Sequence, residues 1–244
     1  MADYLIMCEG ITDQTLIGQY LCDVSGWKYV KIQESKRPIN SDSIVWYKRE
    51  EDRLGIGRVD GDDFHPMTSK IIEYNRRDDL GISKYAIVTD NDSTDEIRER
   101  FKSNMALFES GFDIKYQSWD KQDTNKWIPL KYKNGFSEEK ELVFCFLTVP
   151  LKDQGALETY MLNALANNRP EGKLIADESN RFIDELKTAV YLRGRRDKVK
   201  AKLGTALSVF DPDRSVNTMV EIVEQIDWIG FNETNKQFVL LTEM

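Results

Sequence analysis

The sequence predicts an α/β protein, with a mostly parallel central sheet flanked by helices and a helical carboxy-terminal part. Three observations carry that expectation. Two short runs, DYLIMC at 3–8 and KYAIVT at 84–89, have the length and unbroken apolar character of strands buried on both faces. Each is followed at once by turn residues and a helix-start signal, so strand hands over directly to helix. Beyond Gly155 the apolar spacing is helical only, as when helices pack onto a sheet already complete. With 244 residues, 41% of them hydrophobic, the chain is long enough for one large domain and a real core.

Element by element, Glu9-Gly10 and Thr12-Asp13 end the first strand and open a helix whose Leu16, Ile17, Tyr20 and Leu21 share one face. Residues 27–32, 43–47 and 54–59 are strand-like, the last ending at Asp60-Gly61, and 67–74 is helical. The strand at 84–89 ends in Asp90-Asn91-Asp92. Ser93 or Thr94 then caps a helix with acids in its first turn and Ile97, Phe101, Met105 and Phe108 on one face. Gly111 is expected to stop that helix, with strands at 112–116, 126–131 and 141–149 to follow and helices at 155–166, 177–191, 195–209 and 216–226. There is no internal repeat and no low-complexity tract. A core over 1–167 and a helical extension over 168–244 packed on it, with no clear linker, are expected to form one unit.

Composition removes several function classes. Lys and Arg number 34 against 42 Asp and Glu, a net charge of −8, so any nucleic-acid contact has to be local. Three widely spaced cysteines in apolar contexts suit reduced, buried thiols in a cytoplasmic protein, and a zinc cluster is not expected. The segment MADYLIMCEG has no basic region and does not read as a signal peptide, and no apolar run approaches the ~18–20 residues of a membrane span. Neither a membrane partner nor a haem or nucleotide cofactor is expected. Gly55-Ile56-Gly57 lacks the Lys-Ser/Thr of a phosphate loop. With a single histidine, His65, chemistry here is carboxylate chemistry.

Acids stand where two strands end, at Glu9 and at Asp90 with Asp92. In open α/β sheets ligands sit outside the carboxyl ends of the strands, near a topological switch point. If the two strands are parallel neighbours, three carboxylates converge and repel one another unless a cation neutralises them. Hard oxygen ligands select Mg²⁺ or Mn²⁺. Asp13, in the first turn after Glu9, reaches the same place. The plainer reading is that Asp90 and Asp92 form a turn and favour a helix amino terminus.

LIMCEGITD followed some eighty residues later by YAIVTDND resembles the Toprim domain, in which one apolar strand ends in Glu-Gly and a later one in Asp-x-Asp. Residues 9–13 are most similar to the OLD-group nucleases, where the segment reads Glu-Gly-x-Thr-Glu; Asp13 stands here for the second Glu. The resemblance covers roughly 3–167. It implies a further acid after a late strand, a place that Glu158 occupies, with Asp153 a weaker substitute; Glu158 also reads as an ordinary first-turn acid. It implies Mg²⁺-dependent phosphodiester hydrolysis, with Glu9, Asp90 and Asp92 as catalytic ligands and Asp13 and Glu158 completing the metal set. Topoisomerase and primase accessory domains do not fit this length and cysteine count. A nuclease is the leading enzymatic expectation, against a noncatalytic metal-binding or regulatory protein of the same fold.

The stretch 187–202 holds Lys187, Arg193, Arg195, Arg196, Lys198, Lys200 and Lys202 against one acid, Asp197. Arg195, Arg196, Lys198 and Lys200 form the candidate nucleic-acid contact, and Lys198 or Lys200 the candidate for the late lysine of OLD-like nucleases; a solvated helix face is the alternative. His65 reads as a surface turn residue. Trp27, Trp46, Trp119, Trp127 and Trp228 read as core or interface rather than stacking platforms.

Overall fold

Alternation along the first strand sets the architecture. In the computed structural model, Leu5 and Met7 of β1 (Asp3–Cys8) enter one apolar layer and Ile6 and Cys8 the other, as a side-chain period of two requires. The structure describes residues 2–31, 38–39, 41–77, 81–116, 123–152, 154–168, 170–186, 192, 194–210, 212, 228 and 230–244. The elements in order are β1, α1 (Ile11–Ser25), β2 (Lys28–Tyr29), β3 (Ile44–Arg49), β4 (Asp52–Arg58), α2 (His65–Arg77), β5 (Ile82–Asp90), α3 (Thr94–Phe112), β6 (Trp127–Lys133), β7 (Glu139–Val149), α4 (Leu157–Asn168), α5 (Pro170–Glu185), α6 (Arg195–Phe210) and α7 (Asn232–Phe238), followed by a 3₁₀ turn, Val239–Glu243.

The protein is α/β, with one mixed sheet in the order β2-β3-β4-β1-β5-β7-β6. Its four central strands, β4, β1, β5 and β7, are parallel, and β3 and β6 close it as antiparallel neighbours of β4 and β7. Helices α2 and α3 cover one face, around Tyr85, Phe101, Phe108, Phe144 and Phe146. Burying each such ring is worth about 1.5–3 kcal/mol. The other face is covered by α1 together with α4, α6 and the carboxy-terminal residues Phe238, Leu241 and Met244, so the carboxy-terminal part packs on the core. The loop after β1 leads to one face and the loop after its neighbour β5 to the other. The chain therefore switches direction between the two strands that end in acids.

Two expectations fail for definable reasons. No strand forms at 112–116: α3 runs on through Gly111 to Phe112, whose ring stacks on Tyr132 at 4.0 Å, and Asp113 ends the helix in the left-handed region. A Cβ on Gly111 would stand 2.4 Å from Cγ2 of Ile72, so this glycine lets α2 and α3 approach and does not stop the helix. Helix α5 begins at Pro170, well before 177, because Pro170 and Glu171 are a helix opening rather than a loop. The strand expected over 27–32 is reduced to Lys28–Tyr29, and α7 with its 3₁₀ turn was not expected. The helix expected at 216–226, and Trp119, Asp153, Lys187 and Arg193, lie outside the described residues. All three cysteines are free thiols, and Trp27, Trp46 and Trp228 are buried. Among the described residues no helix is long and apolar enough to cross a membrane.

Candidate functional site

The parallel strands β4, β1, β5 and β7 all end at one edge of the sheet, and their loops build the site. Glu9 follows the last residue of β1 and is 4% exposed. It is tied to the neighbouring strand: Thr89 Oγ1 donates to Glu9 Oε1 at 2.6 Å and the Asp90 N–H donates to the same oxygen at 3.0 Å. Register explains this, since Cys8 pairs with Val88 and the next residues on both strands therefore meet.

Asp90, the last residue of β5, accepts the Leu157 N–H at Oδ1 (3.2 Å), which ties it to the amino terminus of α4. Glu158 is the next residue of that helix. The intervening loop is held by Asn91, whose carbonyl accepts from the Gly155 N–H at 2.8 Å and whose side chain donates to the Pro150 carbonyl at 2.7 Å. Gln237 of α7 braces it further, bonding the Leu151 N–H and the Thr148 carbonyl. Asp13, in the first turn of α1, accepts the Gly10 N–H at 3.1 Å and so also caps its helix.

Electrostatics shows that these acids form one group. Burial, then the charges of Glu9, Asp13 and Glu158, push the Asp90 carboxyl up from 3.8 to about 8. Burial, then Glu158 and Glu9, push Asp13 up from 3.8 to about 7. The Cys8 thiol beneath them is raised well above its usual value by burial, then by Asp13 and Glu9.

Asp92 is arranged differently. Its Oδ2 accepts from Arg100 Nη2 at 3.0 Å, and the same nitrogen reaches Asp62 Oδ2 at 2.9 Å. Arg100 Nη1 bonds Thr89 Oγ1 at 3.0 Å and lies 3.4 Å from Glu9 Oε1. The structure thus groups Glu9, Asp13, Asp90 and Glu158 directly, and connects Asp92 to them through a guanidinium.

A family model described as "Protein of unknown function (DUF3226)" matches residues 3–236. The chain belongs to this DUF3226 family. No curated protein matches it. Among solved structures it is similar to hypothetical protein PH0156 from Pyrococcus horikoshii OT3, at 12% identity and a TM-score of 0.54, covering 100% of this chain and 93% of that one. At that identity the likeness concerns the fold alone. A lactoylglutathione lyase from Agrobacterium tumefaciens also matches, at 11% identity and a TM-score of 0.18, over 59% of this chain and 92% of that one.

In this DUF3226 chain the basic stretch begins α6. Lys200 reaches toward the acids, its Nζ 4.0 Å from Glu158 Oε1, while Lys198 is exposed and makes no ion pair among the described residues. Lys202 pairs with Asp184 at 2.9 Å. Arg195 and Arg196 open the helix, and their side chains lie outside the described set. His65 is the first residue of α2 rather than a turn residue, bonded to Ser103 at 2.9 Å.

Sequence reasoning missed Arg100, Thr89 and Asp62. Arg100 directly precedes the buried Phe101 on α3, a position beside the packed face from which a long side chain reaches the sheet edge. That placement was the available signal.

All the acidic donors are hard oxygens, the ligand type Mg²⁺ and Mn²⁺ take. Among the described residues no group of three or more His, Cys, Asp or Glu side chains stands close enough together to hold a metal ion. The match is therefore one of donor chemistry and charge alone: carboxylates at a strand edge, with Asp90 and Asp13 raised by burial and then by the acids around them.

Proposed function

We propose that the edge formed by Glu9, Asp13, Asp90 and Glu158 is a divalent-cation site of Toprim-like character that hydrolyses phosphodiester bonds in nucleic acid. The observation that carries the reading is the crowding of four carboxylates outside the ends of β1 and β5, where Asp90 is raised to about 8. Mg²⁺ or Mn²⁺, when bound, supplies the positive charge that polarises a phosphate and its attacking water. The chain's own groups divide the remaining work. Thr89 and the Asp90 N–H hold Glu9 in one orientation, and the Leu157 N–H orients Asp90. Lys200 of α6 lies on the Glu158 side, where a phosphate backbone approaching the acids would meet a cation. Ion binding is coupled to proton loss, because Asp13 and Asp90 must ionise to ligate.

A second reading is a noncatalytic metal-binding or regulatory protein of the same fold. It is favoured by Arg100, which already occupies Glu9 and Asp92. Incubating the full chain with DNA and RNA in Mg²⁺ and in Mn²⁺, beside Asp90→Asn, separates the two. Cleavage by the parent and its loss in the variant supports hydrolysis. Mn²⁺ binding without cleavage of either nucleic acid supports the second reading, and absence of both removes the metal site.

A further inference from the structure

Helix α5 carries apolar side chains on a side that no other element covers. Its inner side, with Gly172, Ala176, Ser179 and Ile183, is buried, and Gly172 lies close against the Leu165 carbonyl of α4. The core contacts of this helix are thus already made. Yet Leu174 is 64% exposed, Phe182 54%, and Leu186, which directly follows the helix, 40%. Leu186 continues the helical turn, since its N–H donates to the Ile183 carbonyl at 3.3 Å. Spaced at i, i+8 and i+12, the three fall on one ridge, with Glu178 at the remaining step. Among the described residues no other element leaves more than two large hydrophobic side chains exposed. Such a ridge, rimmed by charges, marks an interaction surface.

The charges beside the ridge say what fits it. Asp184 is already held by Lys202 of α6 at 2.9 Å, and Glu178 by Arg181. Lys173, Asp177 and Glu185 are exposed and make no ion pair among the described residues. Lys173 and Glu185 lie equally far from the middle of the helix, near Ser179, and so do Asp177 and Arg181. When a second α5 lies antiparallel about that point, Lys173 faces Glu185 of the second copy and Asp177 faces Arg181 of the second copy. Leu174 then faces Leu186 of the second copy. A parallel pair would set every charge against its own like. The pattern is therefore self-complementary in one direction only, as a two-fold interface requires.

We infer that the outer ridge of α5 is a self-association surface, on which a second copy of this chain docks its own α5 antiparallel. Burying Leu174, Phe182 and Leu186 drives the contact, and the charges fix its direction and register. None of these residues belongs to the acidic edge of the sheet, so the pairing does not depend on what that edge binds.

Sedimentation velocity of the full chain in EDTA, from about 1 µM to about 500 µM, reads the association over the range expected of a modest interface. The parent should pass from monomer to dimer within it. Phe182→Asp should weaken the dimer about tenfold or more. Asp177→Arg and Arg181→Asp should each weaken it, and the two together should recover most of the loss, because the pair is rebuilt with its signs exchanged. Leu174→Cys combined with Leu186→Cys should cross-link two chains under mild oxidation. These positions lie about 18 Å apart along one helix, beyond the ~7 Å that a disulfide within the chain can span. Neither the parent nor Leu174→Cys alone should give that species. All the replaced side chains are exposed, and circular dichroism checks the fold of each variant. A parent that stays monomeric throughout, a dimer indifferent to Phe182→Asp, or a charge-exchanged double variant no better than either single one overturns the inference.

Discussion

Replacing Asp90 by asparagine should stabilise the ion-free protein at alkaline pH, although it removes a residue of the candidate site. Asparagine has the shape of a protonated aspartic acid and keeps an oxygen to accept the Leu157 N–H. A carboxyl raised from 3.8 to about 8 binds a proton more tightly in the folded chain than in the unfolded one. Between those values the native state therefore holds more protons, and stability falls as pH rises. At 1.36 kcal/mol per pKa unit the ionised Asp90 costs the folded state about 5–6 kcal/mol above pH 8. Part of that cost is repulsion shared with Asp13, Glu9 and Glu158, so relief by one substitution is smaller, about 3 kcal/mol. Urea unfolding in EDTA at pH 5, 7 and 8.5, followed by far-ultraviolet circular dichroism, measures it. At pH 5 the advantage of Asp90→Asn should be small, and it should grow through pH 7 to its largest value at pH 8.5. Adding Mn²⁺ at a hundred times its Kd should restore about 2.7 kcal/mol to the parent and far less to the variant. Equal stability of the two proteins at pH 8.5 in EDTA would refute the claim that burial and the neighbouring carboxylates disfavour the ionised Asp90.

Three further outcomes follow from the same contacts. Thr89→Val removes the hydroxyl that serves both Glu9 and Arg100, and should cost about 1–3 kcal/mol in urea unfolding, with a matching loss of Mn²⁺ affinity. Gly172→Ala would place a Cβ 2.3 Å from the Leu165 carbonyl oxygen, where α5 crosses α4. It should lower stability by about 1–3 kcal/mol and, by displacing the helix that carries Glu158, weaken ion binding; an unchanged melting temperature would show that the crossing relaxes freely. Lys198→Gln with Lys200→Gln should reduce the salt dependence of nucleic-acid binding by about one unit per lost phosphate contact. If the slope and affinity stay at the parent's values, the start of α6 is a solvated face.

The parallel centre of the sheet was legible because its strands are buried on both faces. A run such as Tyr85-Ala86-Ile87-Val88 has little alternative to a central strand. Where tertiary packing decides, local pattern misled. Gly111 reads as a stop, yet it is the position at which α3 accepts Ile72 of α2, and the helix continues to the stacking of Phe112 on Tyr132. The helix expected from 177 begins at Pro170, whose fixed φ suits a first helical position.

For the candidate site, what the sequence made legible is that Glu9 and Asp90 share one edge, because residues at the carboxyl ends of neighbouring parallel strands meet whatever their side chains are. It did not divide them. Glu9, Asp90 and Asp92 look equivalent as strand-end carboxylates, and only the reach of Arg100 across from α3 separates Asp92 from Asp90. A helix face reveals which residues are buried, while the direction of a long cationic side chain beside that face depends on the strands underneath. The same holds for Lys198 and Lys200, two residues apart on one helix. The turn of α6 directs Lys200 toward Glu158, and Lys198 is exposed without an ion pair among the described residues. The acids are fixed by topology and the cations by helix rotation, so the charge balance of this edge emerges only when both are placed.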